Sequence, residues 1–142
     1  MPLMKECLQA GKTVKFSPKG ISMMPMLRQG IDSVILSAPT GKLKKYDLPL
    51  YQRRDGHFVL HRIVRVGERG DRYTCIGDNQ FQLEHGVAHE WVIGVMVGFT
   101  RGDKRYSADH LGYRIYCRFW HYSRPVRYVW RRGIDWLRRL LK

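Results

Sequence analysis

Ser22 lies in the stretch GKTVKFSPKGISMMPMLRQG, between an alternating strand-like segment and a Met-Met-Pro run. An apolar turn has no need of a hydroxyl there; a nucleophile would, provided a base reached it. A serine hydroxyl attacks poorly until a neighbour takes its proton. An imidazole suits that task near neutral pH, and a carboxylate can hold the imidazole in the right tautomer. The chain offers this set in three short blocks: GISMMPML with Ser22, FVLHRIVRV with His61 and CIGDNQ with Asp78. Taken singly, each has a plainer reading as a turn serine, a strand histidine and a turn acid. Taken together, they are what acyl transfer through serine requires. His57 would share a strand face with His61 and is an alternative base, without the HRIV context.

The segments around these blocks predict strands. KTVKF, DSVILS, DLPLYQR, HFVLHRIVRV, RYTCIG and WVIGVMVGF are apolar or alternate with period two, separated by Gly-, Pro- and Asp-rich turns. Residues 2–10 read as a short helix ended by Gly11. The expected fold is therefore mainly β over residues 1–107, followed by a basic, aromatic helical extension over residues 108–142.

More than half of the net charge lies at the C-terminal end. Residues 111–142 hold nine Arg and Lys against Asp135 alone, which is +8 of a net +14. On a helical wheel, Val126, Val129, Trp130, Ile134, Leu137, Leu140 and Leu141 fall within an arc of roughly 140°, with the cations opposite. A preceding helix should stop before Pro125, because proline disfavours helix at the residue before it. The stripe either packs on the β core or a partner subunit, or lies in an anionic membrane surface through residues 126–142. Nucleic acid is the weaker expectation, since charge is all that supports it.

The three blocks, in this order and spacing, resemble the signal peptidase I and LexA-like serine peptidase superfamily, in its Ser-His (endoplasmic-reticulum and archaeal-type) subset. Gly20, Ser22, Met23 and Pro25 match its first box, LHRIV at 60–64 its His-bearing strand, and GDN at 77–79 the box with its acid. The likeness spans about residues 11–100. It implies a signal-peptidase-like β catalytic core, with Ser22 as nucleophile and His61 as general base. Asp78 would orient or stabilise His61, or hold its loop, and a second acid would fall near Glu84. The Ser22 backbone N–H would serve the oxyanion. Met23, Met24 and Pro25, with the strand KTVKF, would contact substrate. Met26 and the GID at 30–32 depart from the usual pattern and bear on pocket shape. The implied reaction is cleavage of a peptide bond in an extended, small-residue-rich segment of a precursor peptide or protein, through an acyl-enzyme. Activity should fall as pH drops through an apparent pKa of roughly 6 to 7.

Several classes are disfavoured. Cys7, Cys75 and Cys117 are odd in number and widely spaced, against a disulfide framework. Cys75, Asp78, His85 and His89 fit no closed zinc spacing, so neither metal nor cofactor is expected. The longest apolar run, WVIGVMVGF, falls far short of the ~20 residues that span a bilayer, and the N-terminus lacks a secretory signal. The expected location is cytoplasmic or peripheral on the inner membrane face, which points to a dedicated precursor such as the leader of a ribosomally made peptide. Self-cleavage at Ala10–Gly11 is disfavoured, because that bond lies too close to Ser22 to loop back. The remaining alternatives are a non-catalytic peptide-binding or adaptor module on the same fold, and a DNA-binding regulator using the basic helices.

Overall fold

In the computed structural model, which describes residues 2–18, 20 and 22–141, two antiparallel sheets share the chain with three α-helices and a short 3-10 helix, His89–Trp91. Ile21, which precedes Ser22, and Lys142, one of the nine C-terminal cations, lie outside the described residues. The strands are β1 (Val14–Phe16), β2 (Ser33–Ser37), β3 (Pro49–Gln52), β4 (Phe58–Leu60), β5 (Arg62–Val66), β6 (Arg72–Ile76), β7 (Glu84–Ala88), β8 (Val92–Arg101) and β9 (Lys104–Ser107). The helices are α1 (Pro2–Gln9), α2 (Leu111–Tyr122) and α3 (Arg124–Leu140). With about 32% strand and 28% helix the fold is mixed, so the mainly β expectation holds only for the first three quarters of the chain.

The larger sheet runs β1-β2-β8-β3-β4, with β9 folded back onto β8, and the smaller runs β5-β6-β7. Register shifts at Ile35/Leu36 and Leu50/Tyr51 mark irregular pairing on β8. Such bulges bend and twist a sheet locally. The expected strand HFVLHRIVRV is in fact two. Phe58–Leu60 pair with β3, Arg62–Val66 pair with β6, and the chain changes sheets at His61. The His61 side chain thereby stands at the seam between the sheets.

Two strands went unread. β7 begins with the polar Glu84-His85-Gly86, and Gly86 has φ +72°, so no alternation announces it. β9 is a short, largely exposed hairpin arm of β8. Both exist because a neighbour offers a ladder, the context dependence expected of β propensity.

One core cluster joins Met23, Met26, Leu27, Leu36, Leu50 and Phe99 to Tyr113 and Cys117 of α2. The other joins Tyr51 of β3 and Val59 of β4 to Ile63, Tyr73 and Val87 of the smaller sheet. Helix α2 is thus built into the core, and the boundary expected at 107/108 does not mark a break in packing. The real change comes at Ser123. No residue of α3 is buried, and Pro125 sits in its first turn, where a missing N–H costs nothing.

Candidate active site

The turn carrying Ser22 is plugged into the core by three buried side chains, Met23, Met26 and Leu27, and closed by Leu27 N–H donating to the Met23 carbonyl at 3.0 Å. Ser22 itself is half-buried. Gly20, at φ +88°, forms the lip before it, a backbone conformation that favours glycine. Behind the turn runs the loop after β6. Its Asn79 N–H donates to the Ser22 carbonyl at 2.8 Å, and Gly77 and Gln80 close a tight turn of their own. A Cβ on Gly77 would come within 2.5 Å of that same Ser22 carbonyl. Glycine at 77 is therefore what lets the two loops touch.

Ser22 and His61 line one cleft of about 440 Å³, with Met23, Arg53, Phe58 and Gln80 among its other walls. Its size suits a few side chains of a ligand. Phe16 of β1 also lines it. Strands β1 and β4 end the strand order of the large sheet, so their outer edges have no strand partner among the described residues. Met24 and Pro25 are not on the cleft wall. Pro25 lines a separate depression with Phe99, Tyr106 and Tyr116.

His61 is buried, and its Nδ1 has no hydrogen-bond partner among the described residues. Burial pushes the imidazole down to about 4, against a smaller upward pull from the Glu84 carboxylate. The ring is consequently neutral at pH 7, the form a general base needs. No hydrogen bond joins Ser22 to His61 among the described residues. Catalytic hydrogen bonds are often long without substrate.

Asp78 is fully buried, and its carboxylate serves Arg62 rather than His61. Arg62 Nε and Nη2 donate to its two oxygens at 2.9 and 3.0 Å, and Tyr116 Oη donates at 2.7 Å. Of the two routes open to Asp78, orienting the base or holding the loop, its contacts follow the second. Arg62 also donates to Tyr113 Oη, the Tyr46 carbonyl and the sulfurs of Met26 and Cys117. Burial pulls its pKa down, but the Asp78 carboxylate beside it outweighs that and raises it well above normal. Trp120 Nε1 donates to the Asp78 carbonyl at 2.7 Å. The acid with the larger field on His61 is Glu84. Burial pushes the Glu84 carboxyl up, but hydrogen bonds from Arg53 and Tyr51 outweigh it and hold the group below its usual value.

No family model, curated protein or solved structure matches this chain. Three parts of the site escaped sequence reading: Arg62, Arg53 and Gln80. Arg62 had a signal, since an arginine in an otherwise apolar strand beside a candidate base needs a buried partner. Arg53 ends a strand candidate where a turn begins and Gln80 lies in a turn-like stretch, places where side-chain direction is not legible. His57 is exposed and paired with Asp55, away from the cleft lining. The described residues hold no cluster of His, Cys, Asp or Glu fit for a metal, and none of the helices is long and apolar enough to cross a membrane.

Proposed function

We propose that the chain is a serine endopeptidase of the signal-peptidase-like type, on a β core related to that of the signal peptidase and LexA-like enzymes. The observation that carries this reading is the convergence of Ser22, on its turn, and buried His61, at the β4–β5 junction, on one cleft. In this reading His61 takes the Ser22 proton as Oγ attacks the scissile carbonyl. It then returns that proton to the departing amine, leaving an acyl-enzyme that water resolves after His61 activates it. The Ser22 backbone N–H would donate to the oxyanion.

The substrate class follows from the walls. The outer edges of β1 and β4 flank the cleft, and an extended peptide is the ligand such edges add as a strand. A small-residue-rich segment of a precursor suits the limited volume between Met23, Leu50 and Phe58.

A non-catalytic peptide-binding module is the second reading, favoured by the absence of a Ser22–His61 hydrogen bond among the described residues. Incubation with a proteome-derived peptide library, followed by mass spectrometry of new termini, separates the two. Peptidase activity gives new termini with wild type and none with Ser22→Ala. Peptide retention by both proteins, with no new termini, would overturn the enzyme reading.

A further inference from the structure

We propose that α3, continued by the outer stripe of α2, docks the protein on an anionic phospholipid surface. The inference is independent of the peptidase reading. Helix α3 presents its apolar side to water: Val126 is 72% and Trp130 71% exposed, and Trp136, Leu137 and Leu140 are exposed with them. The opposite side is already in use. Tyr128 packs edge-on against Phe81 of the Asp78 loop at 5.5 Å, Arg127 covers the Trp120 ring at 3.7 Å, and Arg131 lies over Phe81. These contacts turn the apolar face away from the body.

The face does not end with α3. Ser123 alone separates the two helices and keeps a right-handed helical backbone, φ −79° and ψ −10°. Leu111, Ile115, Phe119 and Tyr122 of α2 are exposed as well. Counted at 100° per residue through Ser123, they and the α3 stripe share one arc of roughly 160°. A contiguous apolar face of this length on a monomer marks an interaction surface.

Charge selects the occupant. The arc is bordered by Arg138 on one edge and Arg132 and Arg139 on the other, Arg127 and Arg131 being held against the body, while the one acid of the helix, Asp135, lies opposite. A second copy laid on this face would bring those arginine rows together. Nucleic acid would satisfy the arginines and leave the leucines and tryptophans in water. An anionic bilayer interface takes both, with the apolar stripe among the acyl chains, the guanidiniums at the phosphates and Trp130 and Trp136 between.

The test is sedimentation of the full chain with vesicles of phosphatidylcholine, alone or mixed with phosphatidylglycerol. Binding should require phosphatidylglycerol and weaken with added salt. It should drop at least about tenfold in Leu137→Glu, Trp130→Glu and the double change Arg138→Glu/Arg139→Glu. These side chains are exposed, so thermal unfolding should be unchanged and rule out misfolding. The proposal is overturned by equal binding to phosphatidylcholine alone, or by binding that Leu137→Glu leaves intact. It is equally overturned if no vesicle binds, whether the protein then proves to be a dimer that Leu137→Glu dissociates or a salt-dependent binder of duplex DNA.

Discussion

Arg62 grips Asp78 through two hydrogen bonds, at 2.9 and 3.0 Å, with both side chains buried. The pair ties the residue after His61 to the loop whose Asn79 holds the Ser22 carbonyl. It therefore sets the spacing of Ser22 and His61 without bonding to either side chain. Helix α2 encloses it through Tyr113, Tyr116 and Trp120.

Breaking this pair from one side should be costly. Arg62→Met strands a buried carboxylate and Asp78→Leu a buried guanidinium, each by about 3–5 kcal/mol. The double change Arg62→Met/Asp78→Leu should be less destabilised than the sum of the two. Denaturant midpoints of the three variants measure the coupling. Simple additivity would mean the pair does not act as a unit.

Gly77→Ala tests the contact between loops. The new methyl must displace the Ser22 carbonyl, so Ser22 should shift while the core persists. The expected outcome is a stability loss of about 1–3 kcal/mol, with kcat/KM down by as much as ~100-fold. Unchanged turnover would show that Ser22 has more slack than the close approach implies.

The pH profile should depart from that of an ordinary imidazole. A base works unprotonated, and burial holds His61 near 4. kcat/KM should therefore stay high well below pH 6 and fall only as pH approaches 4. Because Glu84 pulls this value up and Arg53 pulls it down, Glu84→Gln should move the acid limb lower still. The same shift destabilises the fold in acid. Between about pH 6.5 and 4 the unfolded chain binds a proton that folded His61 refuses, so stability should fall as pH drops through that window. Thermal melts of wild type and His61→Gln across it check the sign: the wild-type slope should be the steeper.

Truncation separates the two helices. A chain ending at Ser123 loses no buried residue of α3. Forfeiting the Arg127 contacts should lower Tm by only about 2–4 °C. A chain ending at Asp109 uncovers Arg62, Asp78 and the first core cluster, and should fail to fold cooperatively by circular dichroism. Equal melting of the two would contradict the assignment of α2 to the core.

Much of this was legible beforehand, and the exceptions have causes. β2, β6 and β8 were visible as apolar or alternating runs, and the two C-terminal helices by the switch to a 3.6 period and by Pro125. The break at His61 was not, because His61 carries no local breaker and the two strand halves simply find different partners. Ser22 and His61 were legible through their boxes and do line one cleft. The partner of Asp78 was not, because a carboxylate beside a histidine and an arginine goes to whichever the fold brings nearer. Here the guanidinium is buried with it, and the imidazole has no partner on Nδ1 among the described residues. Met26 looked like a departure affecting the substrate pocket, yet it sits in the core, its sulfur 3.0 Å from Arg62.

The most direct test of the central claim is covalent labelling. Wild type, Ser22→Ala and His61→Ala would be treated with a small fluorophosphonate and the adduct located by peptide mass spectrometry. A serine nucleophile activated by His61 predicts a single adduct on Ser22 in wild type, none in Ser22→Ala and strongly slowed labelling in His61→Ala. An adduct on another serine, or labelling of Ser22 at the same rate without His61, would contradict the account.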